Sequence, residues 1–340
     1  MWASVFMNFR KNVAYPFQVL RFSVKRGFCC IKKIPLFSSI PLKFKNMNKS
    51  YLLVLCLVIQ LQLTGQTDSL TATISGIITG KSAVVGVQIT EIETGTSITI
   101  NPEYKYPLMS VFKLHLGVTV LHAIDEGKLS LEQGVFIKKS DLMENTWSPI
   151  RVKYPEGNVT LTIKELLQYT IADSDNNGCD ILLSLIGGPA GVENYMHEIG
   201  VNAVQIRVSE NDMHQHPDTL YANWTKLDAA ASLLQLVYSG KILKATTNKF
   251  LMETLYATTT GPLRLKGQLP EGTAVAHKTG TAGEDNNGVT AAVNDIGIVT
   301  LPNGNHLIIC VFVRNTKEAF ETNEKIIADI SYAAWVYFGI

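Results

Sequence analysis

Ala274-Val-Ala-His-Lys-Thr279 alternates apolar and polar residues, and residues 289–300 and 306–314 do the same. Such alternation is typical of β-strands that bury one face. The segment Leu301-Pro-Asn-Gly-Asn305 separates the last two runs and predicts a tight hairpin turn. The C-terminal part of the chain is therefore expected to contribute three antiparallel strands.

A second predicted hairpin precedes a helical middle. Residues 82–90 and 96–101 are rich in β-forming residues and flank Glu93-Thr-Gly95, a turn-forming sequence. From 110 to 126 the apolar residues recur at helical spacing, which ends at Gly127. The same pattern predicts further helices over 162–170, 177–186, 190–199, 227–238, 247–256 and 317–338.

The order of these elements indicates the fold class. The chain has 340 residues, of which 46% are hydrophobic and 17% are charged, and this composition excludes a disordered, collagenous or coiled-coil protein. A hairpin, helices, three strands and a helix predict an α/β (α+β) fold with one antiparallel sheet flanked by helices. We expect residues 67–107 and 258–340 to form that α/β lobe, with an inserted all-α lobe over 108–257.

The first 67 residues differ in charge from the rest of the chain. They contain ten Lys and Arg and no Asp or Glu, which leaves 20 basic and 29 acidic residues, a net charge of −9, in the remainder. The remainder has no polycationic surface, so nucleic acid is not expected as a partner.

Residues 51–63 form a mostly apolar run after Lys49, followed by small or polar residues. This is the pattern of a secretory signal peptide, which we expect at 47–66. The run is shorter than the ~20 residues of a membrane span, which disfavours the alternative of a permanent anchor. Translation is expected to begin at Met47, which makes residues 1–46 an over-called extension; an unusual targeting extension is the alternative.

Only Cys179 and Cys310 follow the expected signal peptide, out of five cysteines. They have no C-x-x-C spacing and no paired histidine, which argues against a metal site, and they are too few for a disulfide scaffold. We prefer two buried free thiols to a single bridge.

Ser110-Val-Phe-Lys113 opens the first predicted helix. A serine at a helix N-terminus lies where the helix dipole favours negative charge, and the i, i+3 spacing puts Lys113 on the same face. Such a lysine can accept the hydroxyl proton if its pKa is lowered. The simpler alternative is that Ser110 caps the helix and Lys113 is solvated.

Two further short motifs follow. Ser174-Asp-Asn176 lies just before a predicted helix, where capping is the ordinary role of such residues. Lys278-Thr-Gly280 ends a strand made of small apolar residues, where a lysine without an anionic partner is energetically costly. Gly280 would let a bound molecule approach the strand backbone closely.

Together, S-x-x-K, S-D-N and K-T-G in this order resemble the motif set of penicillin-binding proteins and class A β-lactamases. The resemblance extends over the whole chain after the expected signal peptide and implies the two-lobed serine β-lactamase/DD-peptidase fold. It implies Ser110 as the nucleophile, Ser174 as a proton relay to the lactam nitrogen and Asn176 as a ligand of the substrate side-chain amide. It further implies an oxyanion hole formed by the backbone N–H groups of Ser110 and Thr281.

A β-lactamase also needs an acidic residue that activates water. The segment 207–214, followed by Asn223-Trp-Thr225, resembles the omega loop of class A enzymes, and Glu210 is the implied base. The family often has Pro and Asn where this chain has Asn211 and His214, and many members latch the loop with an Asp where Asn223 stands. These departures resemble the PER, VEB and CfxA-like branch, which implies cephalosporinase and extended-spectrum activity.

The resemblance extends to residues around the substrate. Trp147 resembles the aromatic gatekeeper at the rim, with a partly buried surface tryptophan as the alternative. Arg264 resembles an arginine that binds the substrate carboxylate beside K-T-G, with a solvated surface arginine as the alternative. The remaining residues implied to contact substrate are Lys278, Thr279, Gly280, Thr281 and His214.

The predicted function is a secreted, periplasmic class A serine β-lactamase that acts through an acyl-enzyme and favours cephalosporins. Either Lys113, or Glu210 through a water, accepts the Ser110 proton, and Glu210 then activates the deacylating water. The expected partners are β-lactams and water, with no nucleic acid, cofactor, metal or membrane anchor, and the protein is expected to be a monomer. The alternatives are a low-molecular-weight DD-peptidase and a non-hydrolytic β-lactam sensor.

Overall fold

The computed structural model describes residues 69–339 and, separately, the backbone of two short antiparallel strands, β1 (Phe22–Lys25) and β2 (Phe28–Ile31). The expected signal peptide at 47–66 lies outside the described residues, and so does the rest of the expected extension at 1–46.

A five-stranded antiparallel sheet joins strands from both ends of the chain, as the sequence predicted. Its strand order is β10-β11-β12-β3-β4. These strands are β3 (Val84–Glu91), β4 (Ser97–Ile100), β10 (Val275–Thr281), β11 (Thr290–Thr300) and β12 (His306–Thr316). The register places Lys278 of the edge strand opposite Ile296, and Thr279 opposite Asp295.

Helices make up much of the rest of residues 69–339, and the predicted ones are confirmed to within a few residues at most ends. They are α1 (69–78), α2 (Phe112–Asp125), α3 (Pro149–Lys153), α4 (Ile163–Ile171), α5 (Asn176–Ser184), α6 (Gly188–Glu198), α7 (Glu210–Gln215), α8 (Leu227–Tyr238), α9 (Ala245–Tyr256) and α10 (Phe320–Gly339). Every residue of α2 from Phe112 to Leu121 is buried, so this helix is surrounded by protein on all sides.

The two faces of the sheet bury different cores. One face packs Val87, Ile309 and their neighbours against α1 and α10. The other face packs Ile308 and Phe312 against the larger core that includes α2, α4, α5 and α8. The candidate catalytic segments at 110–113 and 278–281 therefore belong to elements whose positions are fixed by burial.

Residues 108–257 are mainly helical but not entirely so. Strand β6 (Gly134–Ile137) pairs with β7 (Val159–Thr162) in a hairpin that the sequence analysis did not predict. Three two-residue strands, β5 (Tyr106–Pro107), β8 (Val204–Gln205) and β9 (Trp224–Thr225), form a further small sheet.

Cys179 and Cys310 are both buried and free, as the sequence analysis preferred. Within the described part of the chain, no helix is long and apolar enough to cross a membrane. The same residues contain no group of three or more His, Cys, Asp or Glu side chains arranged to hold a metal ion.

Candidate active site

Ser110 lies in a single 3₁₀ turn, Met109–Val111, that leads directly into α2. Asn294 of β11 fixes the preceding backbone by donating hydrogen bonds to the carbonyls of Pro107 (2.8 Å) and Leu108 (3.3 Å). A Cβ at Gly280 would lie 2.5 Å from the Leu108 carbonyl oxygen, so only glycine lets β10 approach this turn. Gly280 was expected to allow close approach of a bound molecule, and in the structure it also allows close approach of the Met109–Val111 turn.

Lys113 is completely buried, and four oxygen acceptors surround its Nζ. It donates to Ser110 Oγ at 3.0 Å, to the Ser174 carbonyl at 2.8 Å and to Asn176 Oδ1, and it pairs with Glu210 Oε1 at 2.9 Å. The alternative of a solvated lysine is therefore wrong. Lys113 thus connects Ser110 to Ser174-Asp-Asn176 and to Glu210, segments that are far apart in sequence.

Glu210 is the first residue of α7 and its carboxylate lies near the Ser110 hydroxyl. The distance from Ser110 Oγ to Glu210 Oε1 is 3.4 Å. Ser209 caps α7, and Asp180 of α5 accepts the N–H groups of Glu210 (2.9 Å) and Asn211 (2.8 Å). Burial raises the pKa of Asp180 to about 6, although the two N–H groups oppose this shift.

Ser174 and Asn176 flank a capping residue. Asp175, which is buried, caps α5 by accepting the N–H of Gly178 at 2.8 Å. Of the three residues of this motif, only Asp175 caps α5. Ser174 adopts a left-handed backbone conformation (φ 59°), and both it and Asn176 contact Lys113.

Lys278 occupies the strand side of the site and is also completely buried. Its Nζ donates to Ser174 Oγ and to the Thr279 carbonyl, both at 2.9 Å. Within residues 69–339 it forms no ion pair. Burial, and secondly the charge of Lys113, hold the pKa of Lys278 well below its usual value.

Arg264 is only 3% exposed, so the alternative of a solvated surface arginine is wrong. Its Nε pairs with Glu324 of α10 at 3.2 Å, and Nη1 donates to the carbonyls of Gly280 (3.1 Å) and Asn294 (2.9 Å). Its Nη2 donates to Thr281 Oγ1 at 2.7 Å. The guanidinium group is thus hydrogen-bonded to the end of β10 at Gly280 and Thr281.

A cleft of about 590 Å³ brings most of the predicted site residues together. Those that line it are Ser110, Trp147, Ser174, Asn176, Glu210, His214, Arg264, Thr279, Gly280 and Thr281. Lys113 and Lys278 are buried beneath its surface. Trp147, at the rim, is 62% exposed and donates its indole N–H to the Asp173 carbonyl at 2.8 Å, and His214 is exposed on α7.

Comparison with known proteins identifies the family. Residues 69–338 match the model of the beta-lactamase enzyme family. The chain is 44% identical to β-lactamase VEB-1 and 41% identical to the extended-spectrum β-lactamase PER-1, both from Pseudomonas aeruginosa. These alignments cover 80% and 81% of this chain, and 91% and 89% of the relatives. The chain belongs to the class A β-lactamases.

A solved structure supports the same assignment. The crystal structure of the TLA-3 extended-spectrum β-lactamase is 45% identical, matches with a TM-score of 0.79 and covers 81% of this chain and 100% of that one. The predicted fold and enzyme class are thereby confirmed.

In the omega loop of this β-lactamase, Arg207 forms no ion pair with the residue at position 223, which is Asn223. Asn223 accepts the N–H groups of Arg207 (2.7 Å) and Val208 (3.1 Å) and donates to the Val208 carbonyl at 2.8 Å. Arg207 instead pairs with Glu193 of α6 at 2.9 Å. A neutral amide that binds the loop backbone therefore takes the place of the ion pair.

Several residues of the β-lactamase site were not predicted, and three of them make contacts that shape it. Asp180 orients the first turn of α7, Thr146 accepts a hydrogen bond from Asn176 Nδ2 at 2.6 Å, and Phe320 lines the cleft beside Arg264. No local sequence pattern points to any of these three, because each reaches the site through tertiary packing.

Proposed function

We propose that this β-lactamase hydrolyses its substrates through an acyl-enzyme on Ser110. The observation that carries the proposal is the set of short contacts among Ser110 Oγ, Lys113 Nζ and Glu210 Oε1. A nucleophile within reach of a base, with that base oriented by a third group, is the arrangement that covalent catalysis requires. Attack of Ser110 Oγ on the lactam carbonyl forms the ester and breaks the C–N bond.

Glu210 is the base in this proposal, both for acylation and for deacylation. Four oxygen acceptors surround Lys113 Nζ, an environment that suits an ammonium group rather than a free amine. The carboxylate of Glu210 is then the proton acceptor for Ser110, through a water because 3.4 Å is long for a direct O–H···O bond. The ammonium group of Lys113 stabilises the developing alkoxide.

The other predicted residues, apart from Gly280 and Arg264, take the roles that the family implies. The backbone N–H groups of Ser110 and Thr281 form the oxyanion hole. Ser174, which accepts a hydrogen bond from Lys278, relays a proton to the departing nitrogen. Asn176 binds the substrate side-chain amide, while Lys278, Thr279 and Thr281 bind the carboxylate. Gly280 and Arg264 act behind that carboxylate site, and Trp147 and His214 contact the substrate at the rim.

Location and assembly are part of the same proposal. The apolar run at 51–63 with its basic flank supports export to the periplasm after removal of residues 47–66. We propose that the exported protein is a monomer, because one chain supplies every residue of the cleft.

The mechanism is tested with Glu210→Gln. The amide cannot accept the proton of the deacylating water, so a covalent adduct with benzylpenicillin is expected to accumulate and to appear as a mass increase of the intact protein. Ser110→Ala should show neither turnover nor adduct.

Asp212→Asn is the matched control. Asp212 lies two residues along α7, but its carboxylate accepts the N–H and hydroxyl of Ser209 and belongs to the cap. This variant should not accumulate adduct. Undiminished hydrolysis by Glu210→Gln without an adduct would disprove the assignment of the base.

Within this activity we propose a preference for cephalosporins. The name of PER-1 describes an extended-spectrum enzyme, and this chain shares 41% of its residues over most of their length. The preference is further supported by two features of the cleft, the contact of Asn223 with the omega-loop backbone and the contact of Arg264 with Thr281.

The test is to compare kcat/KM for cephaloridine, cefotaxime and benzylpenicillin. The two cephalosporins are expected to have the higher values. A benzylpenicillin value well above both would refute the preference and leave the acyl-enzyme mechanism standing.

A further inference from the structure

Phe320 is an exposed aromatic residue at the end of the cleft beyond Thr281. It is the first residue of α10, its side chain is 46% exposed, and it lines the same cleft as Ser110. Large apolar side chains that face a ligand cleft offer surface that a bound molecule can cover. The catalytic steps described above make no use of this ring.

The position of the ring is fixed by Arg264. Phe320 and Glu324 are four positions apart, so they lie on one face of α10, and both contact the same guanidinium group. Arg264 Cζ lies 5.6 Å from the centre of the Phe320 ring, and Arg264 Nε lies 3.2 Å from Glu324 Oε1. Because Arg264 also donates to Thr281 Oγ1, the ring has a defined place next to the last residue of β10.

The chemistry of the substrate determines what reaches this ring. The proposed function places the substrate carboxylate at Thr279 and Thr281, and the present inference rests on that placement. In a cephalosporin the carboxylate is on C4, and the variable substituent is on the adjacent ring carbon, C3. That substituent is therefore held beside the carboxylate site, at the Thr281 end of the cleft and away from Asn176.

We propose that Phe320 is a specificity-determining residue that packs against planar, unsaturated groups at C3 of cephalosporins. An aromatic ring gains from stacking on another planar group in addition to the apolar area that it buries. A saturated or small C3 group gains less from the same contact. Phe320 thus makes the KM of the enzyme depend on the C3 substituent.

Two cephalosporins with the same thienylacetyl amide at C7 test this inference. Nitrocefin has a dinitrostyryl group at C3, and cephalothin has an acetoxymethyl group. Phe320→Ala is expected to raise the ratio of the nitrocefin KM to the cephalothin KM by about fivefold. Phe320→Leu, which keeps apolar bulk without a ring, should give an intermediate ratio.

Tyr332→Ala is the matched control, because Tyr332 is an aromatic residue of the same helix with similar exposure, 42%, that does not line the cleft. Its ratio should equal that of the wild type, and thermal unfolding should show that both alanine variants are folded.

Two outcomes would overturn the inference. An unchanged ratio in Phe320→Ala would mean that the ring does not contact the C3 group. An equal rise of KM for nitrocefin, cephalothin and benzylpenicillin would mean that the ring only supports Arg264. In either case the Ser110 adduct in Glu210→Gln remains a separate test, so failure here is distinguishable from failure of the proposed mechanism.

Discussion

Lys113 and Lys278 are both completely buried, but their hydrogen-bond and ion-pair partners on the two walls of the cleft differ in charge. On the helical wall, Lys113 has the carboxylate of Glu210 at 2.9 Å. On the strand wall, Lys278 donates only to uncharged oxygens, those of Ser174 and Thr279. The helical wall therefore contains a paired lysine, whereas the strand wall contains a buried lysine with no carboxylate within ion-pair distance among residues 69–339.

From this difference we expect the helical wall to take part in the chemistry and the strand wall to bind an anion. Burying a charged group is strongly unfavourable unless an opposite charge compensates it. Glu210 compensates Lys113, but the cost at Lys278 is reflected in a pKa held well below its usual value by burial. The carboxylate of a β-lactam is the anion that would compensate Lys278 during binding.

The largest expected effect separates the two lysines kinetically. Lys113→Met should lower kcat by about 10³-fold or more, because the alkoxide and Glu210 both lose their cation. Lys278→Met should mainly raise KM, by about tenfold or more, because a charge-assisted contact with the substrate carboxylate is lost. Steady-state kinetics with benzylpenicillin measure both parameters. If both variants lost kcat equally with unchanged KM, the distinction between the walls would be wrong.

A smaller effect is expected on stability, with opposite signs for the two sites. Lys113→Met leaves Glu210 without its partner in a largely buried position, so we expect a loss of about 2–3 kcal/mol in the free energy of unfolding. Lys278→Met removes a buried amine that forms no ion pair and whose charged form burial disfavours, so its stability should equal or exceed that of the wild type by up to about 1 kcal/mol. Urea unfolding at pH 7 provides the measurement. Equal losses in both variants would contradict the comparison.

Much of this arrangement was accessible from the sequence. The three motifs identified Ser110, Lys113, Ser174 and Lys278, and hydrophobic periodicity located the sheet and the buried helix α2. These signals are local, because each depends on residues within a few positions of one another.

The features that the sequence did not predict depend on contacts between residues that are far apart in the chain. The ion pair of Arg264 with Glu324 was not predicted, because the two residues are 60 positions apart and no local pattern near Arg264 indicates that partner. Asp180 was missed for the same reason, since its partners are 30 and 31 residues away. Helix α7 did have a local signal, the capping box of Ser209 and Asp212, but its six residues are too few to show helical periodicity.

The smallest expected effect is an alkaline limb in the pH profile of substrate binding. Because the pKa of Lys278 is lowered, this lysine loses its proton at a pH below the usual value for lysine, and it carries a charge only below that pH. Substrate carboxylates stay ionised throughout this range, so Lys278 is the group whose charge changes in the contact. The KM for benzylpenicillin should therefore rise as pH increases through the lowered pKa, by up to about tenfold.

The methyl ester of benzylpenicillin provides the control for this limb, because it removes the negative charge from the substrate and leaves the protein unaltered. Its KM should be higher than that of benzylpenicillin at neutral pH, and it should not show the same rise, since a neutral ester gains little from a charged Lys278. The KM ratio of acid to ester isolates the lysine from other groups that titrate in the same range, including any that alter kcat. A ratio that stays constant up to the ordinary pKa of lysine would contradict the prediction that the carboxylate binds to a Lys278 whose pKa is lowered. A ratio that rises towards one as pH increases would show that the substrate carboxylate binds to the positive charge of Lys278, and that burial lowers the pH at which this charge is lost.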